Sequence, residues 1–426
     1  MAELYAINHL IFETILIPVV FFSTLYYLVA FTSIFSRRPS VTYAAIPTSH
    51  LPTVSVQLPV YNDPVVARCI DHCLKFDYPR DKYKIMVADD STDPVTKRII
   101  DKYAKKYPDR VKVFRRSNRK GFKAGALNEV LKRTSQDFIV IFDSDFAPKK
   151  NFLREIVRPF STDEKISIVQ SNTKWLNPDH NLVTKFASAA LYAYYNCIMP
   201  LTGRAGVAFL GGTGGAIRAS VLKKMGGWNE RSLTEDADLS VKMFDKGYKS
   251  VYLYGLEVKG EVPITFTSLV KQQTRWAYGT TRVFLDNWRS ILFSPRFNPL
   301  QRAFLIFVTL GYLASPFILI MVLTGNLGWA ITPPHPISVS EVLDFVRNML
   351  ITSGFFFLMG LGLYREGRMA TLPHTFVSAL TVGIGLTATN FAAFLRAISG
   401  RDLTWIRTPK AGSNPIYAMF KKIFKM

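Results

Sequence analysis

The chain opens with an apolar run at residues 10–32 in which Glu13 is the one charge. A helix of that length spans a bilayer. No Lys or Arg precedes it and no small-residue cleavage pattern follows, so it reads as an anchor and not a signal peptide. Arg37 and Arg38 come directly after it, which places the next segment in the cytoplasm by the positive-inside rule. From about Leu51 to Arg296 the pattern changes. Short β-branched runs at 54–58, 83–88, 111–114, 138–142 and 166–170 alternate with stretches of helical periodicity at 66–76, 94–107 and 123–133. This alternation predicts an α/β domain with a mostly parallel sheet covered on both faces. Ligands of such sheets bind at the carboxyl ends of strands.

Beyond Leu300 the chain is hydrophobic again, with candidate spans at 303–324, 349–364 and 375–395. The stretch 325–345 lacks Lys and Arg, which suits the outside. Arg365, Arg368 and a tail carrying Arg401, Arg407, Lys410, Lys421, Lys422 and Lys425 suit the inside. Three full crossings after a cytoplasmic domain would leave that tail outside. One segment is therefore expected to be re-entrant or interfacial. The choice falls on 375–395, whose second half mixes polar and apolar residues like a surface-lying helix. The expected units are an anchor (1–36), a catalytic domain (50–296), transmembrane or interfacial helices (300–400) and a basic tail (401–426).

Composition agrees with membrane segments: 49% of residues are hydrophobic and 13% aromatic. The formal charge of +22 favours anionic partners, among them acidic headgroups and phosphorylated ligands. Cys69, Cys73 and Cys197 make no disulfide framework. Cys69 and Cys73 flank His72, but no second pair follows at zinc spacing, and reduced, inert thiols on a buried helix face are expected.

Polar clusters follow the expected strands. Pro59, Tyr61, Asn62 and Asp63 follow the first, and Asp89 to Asp93 the next. Asp143 and Asp145 come straight after the all-apolar 138–142. Two carboxylates two residues apart at a strand end can share Mg²⁺ or Mn²⁺ and leave room for phosphate oxygens. Further on stand Thr234, Glu235 and Asp236, which suit a general base, with Glu235 assisting it or meeting an acceptor. Thr234 also reads as the cap of a helix whose start favours acidic residues. Gly211 to Gly215 let backbone approach a ligand or simply make a turn. Of the five basic residues from Arg115 to Lys123, Lys123 opens a helix and is the phosphate candidate; the others read as a solvated face. Gln272, Gln273, Arg275 and Trp276 join amides, a guanidinium fork and a flat ring on which a sugar can pack.

Asp90, the Asp-Ser-Asp at 143–145, Thr234-Glu235-Asp236 and Gln272 to Trp276, in that order, resemble the processive branch of family 2 glycosyltransferases. That branch includes cellulose, mannan and hyaluronan synthases. Residues 123–128, Lys-Ala-Gly-Ala-Leu-Asn, are similar to a motif of the same branch, and the resemblance covers roughly 50–290. Trp405 to Lys410 partly resembles the branch's gating loop, with Arg407 where the family has Val. The resemblance implies a GT-A-type, Rossmann-like catalytic domain and inverting transfer from a UDP- or GDP-sugar. It implies Tyr61, Asp90, Lys123, Asp143, Gln272, Arg275, Thr408 and Lys410 at the donor. Asp143 and Asp145 would hold the metal, and Asp236 would be the base with Glu235 beside it. Trp276, Gly212 and Thr213 would meet the acceptor. The spans are few for a secreting polymer synthase. Two acceptors thus stand open: a growing β-linked polysaccharide, or a membrane lipid receiving one or a few sugars. The expected location is the plasma membrane, in contact with its lipids. Nucleic acid is excluded as a partner, because clustered carboxylates repel a phosphate backbone.

Overall fold

The computed structural model describes residues 2–36, 42–332 and 336–403. Arg37, Arg38 and the tail from Thr404 onward, with Trp405, Arg407, Thr408 and Lys410, lie outside the described residues.

Eight strands form one sheet: β1 (Val54–Val60), β2 (Tyr83–Asp89), β3 (Val111–Phe114), β4 (Phe138–Ile141), β5 (Ala147–Pro148), β6 (Ile166–Trp175), β7 (Gly215–Arg218) and β8 (Lys249–Gly260). Their order is β3-β2-β1-β4-β7-β6-β8-β5. The five expected strands are all present. The β1–β2, β2–β3 and β1–β4 pairings are parallel, but β7 runs antiparallel between β4 and β6. The sheet is therefore more mixed than the periodicity implied. β7 and β8 were not among the expected strands.

After α1 (Ala2–Phe35), the helices of the sheet domain are α2 (Val66–Leu74), α3 (Pro94–Lys106), α4 (Phe122–Leu131), α5 (Phe152–Val157), α6 (Leu182–Ala193), α7 (Met199–Arg204), α8 (Ala219–Lys224), α9 (Glu235–Asp245) and α10 (Phe266–Phe293). Beyond it come α11 (Pro299–Thr309), α12 (Ala314–Ile331), α13 (Val339–Thr352), α14 (Gly354–Arg365), α15 (Leu372–Ser378) and α16 (Ile384–Ile398). Strand β4 shows why the sheet needs cover on both faces. Phe138, Val140 and Phe142 enter one core with α2, α3 and α5, while Ile139 and Ile141 enter the other with α4, α8 and α9. All four β4 residues are buried, as an interior strand requires. Cys69 and Cys73 are free and buried on the inner face of α2, as expected.

Among the described residues, three helical segments are long and apolar enough to cross a membrane: Glu3–Phe35, Gly311–Ile331 and Met369–Ile398. The expected span 349–364 takes a different form. It belongs to the pair α13 and α14, bent by 60° at Ser353. The bend sits where α14 meets α1. The Gly354 amide donates to Ser23 Oγ at 2.8 Å, and a Cβ on Gly354 would lie 2.0 Å from the Ser23 carbonyl oxygen. Only glycine permits so close an approach. The segment 369–398 runs beside the sheet domain: Ala393 and Ala397 pack with Ala277 and Tyr278 of α10, and Arg282 donates to the Ala397 carbonyl.

Candidate active site

An open cleft lies at the carboxyl edge of the sheet, where the strand order reverses between β1 and β4. Open α/β sheets bind ligands at such a reversal. Tyr61, Asp90, Lys123, Asp143, Asp145, Gly212, Thr213, Glu235, Asp236, Gln272, Arg275 and Trp276 all line it. Every expected site residue within the described chain thus reaches one cavity.

On the β2 side, Asp90 is held by a two-pronged pair. Arg116 Nε and Nη2 donate to its carboxylate oxygens at 2.7 and 2.6 Å. Arg116 also donates to the carbonyls of Lys120 and Phe122, which ties it to the turn before α4. Gly121 makes that turn at φ +70°, where a Cβ would strike Glu230 at 2.6 Å. The Arg119 guanidinium stacks 3.3 Å over the Tyr61 ring. Arg115 pairs with Asp89 at 2.7 Å and Asp101 at 2.8 Å. The reading of Arg115, Arg116 and Arg119 as a solvated face is therefore corrected. β2 and β3 are parallel neighbours, so the segment after β3 emerges beside the acids after β2. Other polar residues of this region serve the scaffold. Asp93 caps α3 through the amides of Val95 and Thr96, and Asn62 accepts from the amides of Thr92 and Asp93.

The 143–145 turn is held on each residue. Lys123 Nζ donates to Asp143 Oδ1 at 2.9 Å and to the Gly212 carbonyl at 2.8 Å. Ser144 Oγ donates to Asp63 Oδ2 at 2.6 Å. Asp145, fully buried, accepts from the Glu261 amide at 2.9 Å. Burial alone would lower the Lys123 pKa; Asp143 and Glu235 outweigh it and hold the ammonium above its ordinary value. Because β7 runs antiparallel to β4, the glycine loop before it arrives at the end of β4. Thr213 Oγ1 there accepts from the Asp143 amide at 3.1 Å.

Across the cleft, α9 begins with Glu235 and Asp236. Thr234 occupies the cap position, but its hydroxyl makes no capping bond, so the expected cap is absent. Its methyl packs instead against Gly279 of α10, where a Cβ would lie 2.4 Å away. That contact brings α10 across the start of α9. Gln272, Arg275 and Trp276 share one helix face at i, i+3, i+4 spacing and line the cleft. Gln273 points elsewhere and accepts from the Tyr312 hydroxyl. Gly212, at φ +70°, leaves room for Asp236: a Cβ there would lie 2.7 Å from Asp236 Oδ2. Glu235 Oε1 is 3.8 Å from Lys123 Nζ. Burial, opposed by Lys123 and reinforced by Asp236, pushes the Glu235 carboxyl up to about 7. Burial also raises the Asp236 carboxyl, against the pull of Lys123 and Arg275.

The description "Glycosyltransferase like family 2" matches residues 52–279, more than half of the chain. The chain belongs to glycosyltransferase family 2. Two glucomannan 4-beta-mannosyltransferases of Arabidopsis thaliana, numbers 9 and 2, are 34% and 33% identical to this family member over 273 residues. Each alignment covers 60% of this chain and 51% of the relative, so the chain spans about half the length of the curated relatives it matches. A solved structure, "Mannosyltransferase PcManGT from Pyrobaculum calidifontis in complex with GDP-Man and Mn2+", aligns over 92% of this chain and 100% of its own, with a TM-score of 0.63 at 18% identity. It shares the fold.

Asp143 and Asp145 suit a divalent cation of this family 2 chain. Among the described residues no cluster of three or more His, Cys, Asp or Glu could cage an ion alone. Mg²⁺-type ions are typically held by one or two carboxylates together with substrate phosphates, and the turn presents two. Sequence reasoning missed Arg116, Arg119, Trp175, Tyr195 and Glu261, which bear on the cleft or line it. Arg116 and Arg119 could have been found from their place one strand along from Asp89 and Asp90. Glu261 follows β8, a strand that the periodicity did not reveal.

Proposed function

We propose that this chain transfers mannose from GDP-mannose, with inversion, to the end of a β-linked glycan at the membrane. The observation that carries the reading is the convergence of Asp90, Asp143, Asp145, Asp236, Arg275 and Trp276 on one cleft. The relatives' names support mannose, and the fold neighbour's title supports GDP. Asp90 and Tyr61 take the nucleoside, and Lys123, Gln272 and Arg275 the diphosphate. Asp143 and Asp145 would hold Mn²⁺ or Mg²⁺, which when bound offsets charge developing on the departing diphosphate. Asp236 accepts the acceptor hydroxyl's proton as that oxygen bonds the anomeric carbon and the sugar–phosphate bond breaks. Glu235 steadies the pair, and Trp276 with Gly212 and Thr213 positions the acceptor. Thr408 and Lys410, which the resemblance also assigns to the donor, lie outside the described residues.

The catalytic side faces the cytoplasm. The segment 369–398 lies at the membrane surface, a reading supported by its packing along α10. Few described spans keep a second reading in play, in which the acceptor is a lipid. The test is incubation of the purified membrane protein with radiolabelled GDP-mannose or UDP-sugars and Mn²⁺, followed by product sizing. A ladder from GDP-mannose supports the proposal. A single organic-extractable spot supports the lipid reading. No transfer or donor-induced thermal shift with any nucleotide sugar overturns both.

A further inference from the structure

Arg68, on α2, has no role in the reaction as proposed. Its guanidinium reaches the turn that carries the two metal-binding carboxylates. Nη2 donates to the Asp145 carbonyl at 2.5 Å, and Nη1 pairs with Glu261 Oε1 at 2.8 Å. The Glu261 amide in turn donates to Asp145 Oδ2 at 2.9 Å. The three residues close a ring: guanidinium to carbonyl, guanidinium to carboxylate, amide to carboxylate. Two are deeply buried, with Asp145 at 0% and the Glu261 side chain at 5% exposure. The tertiary frame fixes the ring's size. β5, directly after Asp145, pairs with the end of β8, directly before Glu261, through Ala147–Lys259 and Pro148–Val258. A Cβ on Gly260 would lie 2.5 Å from the Phe146 ring, so the two segments meet without slack.

We infer that Arg68, acting with Glu261, is a positioning residue that sets the direction of the Asp145 carboxylate for a divalent cation. The inference rests on the metal assignment above. A metal ligand performs only when its orientation is set, and supporting partners of ligands typically change metal affinity by about 10- to 100-fold. Glu261 alone could not serve. A buried carboxylate beside Asp145 calls for a cation, and Arg68 pairs with it at 2.8 Å. Lysine could not replace Arg68, because one ammonium does not reproduce a planar fork reaching acceptors on two separate segments.

The experiment measures Mn²⁺ binding to the purified full chain in the presence of GDP, by electron paramagnetic resonance of free Mn²⁺, with thermal melting in parallel. For Arg68→Met the expected result is Mn²⁺ affinity lower by about tenfold. Arg68→Lys should not rescue it. The double variant Arg68→Met/Glu261→Gln also removes the buried carboxylate that faced Arg68, so it should recover melting temperature without recovering Mn²⁺ affinity. The inference is overturned if Arg68→Met binds Mn²⁺ within about twofold of the parent. It is equally overturned if the double variant regains affinity along with stability, since Arg68 would then be a counter-charge only. GDP-dependent Mn²⁺ binding missing from the parent protein itself would sink the metal assignment and this inference with it, a result distinct from either variant outcome.

Discussion

The two walls of the cleft handle charge in opposite ways. On the β2 and β4 side two acids facing the cleft have a cation at close range: Arg116 on Asp90 and Lys123 on Asp143. Across from them, Glu235 and Asp236 sit side by side at the start of a helix. Burial raises both, and Lys123 and Arg275 offset that only in part. The first wall holds these acids in place against cations, which suits a surface for a charged donor. The second raises both acids, Glu235 to about 7, which suits proton transfer. Lys123 touches both walls, because it also binds the Gly212 carbonyl beside Asp236.

The comparison breaks most sharply at Asp236. Asp236→Asn keeps the shape and removes the proposed base, so transfer should fall by roughly 10²- to 10⁴-fold while donor affinity holds. Steady-state transfer rates and a donor-binding titration check this, and full activity would remove Asp236 from the role. A smaller effect is expected on the other wall. Arg116→Met deprives Asp90 of a charge-assisted pair of a kind worth about 1.5–3 kcal/mol, so donor affinity should fall by on the order of 10- to 100-fold. The catalytic step at saturating donor should change little. Equal loss in both quantities would mean that Arg116 supports the whole cleft and not the donor wall. The mildest effect concerns pH. As the proposed base Asp236 must be ionised to act, and burial raises its carboxyl, so the acid limb of transfer should lie above the ordinary carboxylate range. Replacing Glu235 by Gln removes a neighbouring negative charge and should move that limb to lower pH. A limb that stays in place would uncouple the pair.

Legibility also differed between regions. In the sheet domain, five strands and three helices were readable because an apolar run ending in polar residues is a local property. β7 escaped notice: four residues, Gly215–Arg218, carry too little periodicity to separate from a glycine turn. In the apolar region hydropathy gave the helices but not their path. The break at Ser353 depends on how closely α14 approaches α1 at Gly354 and Ser23, residues 331 apart in the chain.

By itself the sequence determined the α/β class, the apolar segments, and which acids and aromatics stand at strand ends and on one helix face. These follow from spacing over ten or so residues. Only the tertiary structure decided which charge meets which. Parallel pairing of β2 with β3 set Arg116 on Asp90, antiparallel β7 brought the glycine loop to Asp143, and the β5–β8 pairing placed Glu261 on Asp145. A hydrogen bond acts over about 3 Å, whereas the partners here are separated along the chain by 26, 70 and 116 residues. Strand order closes that distance, and strand order is a property of the whole sheet.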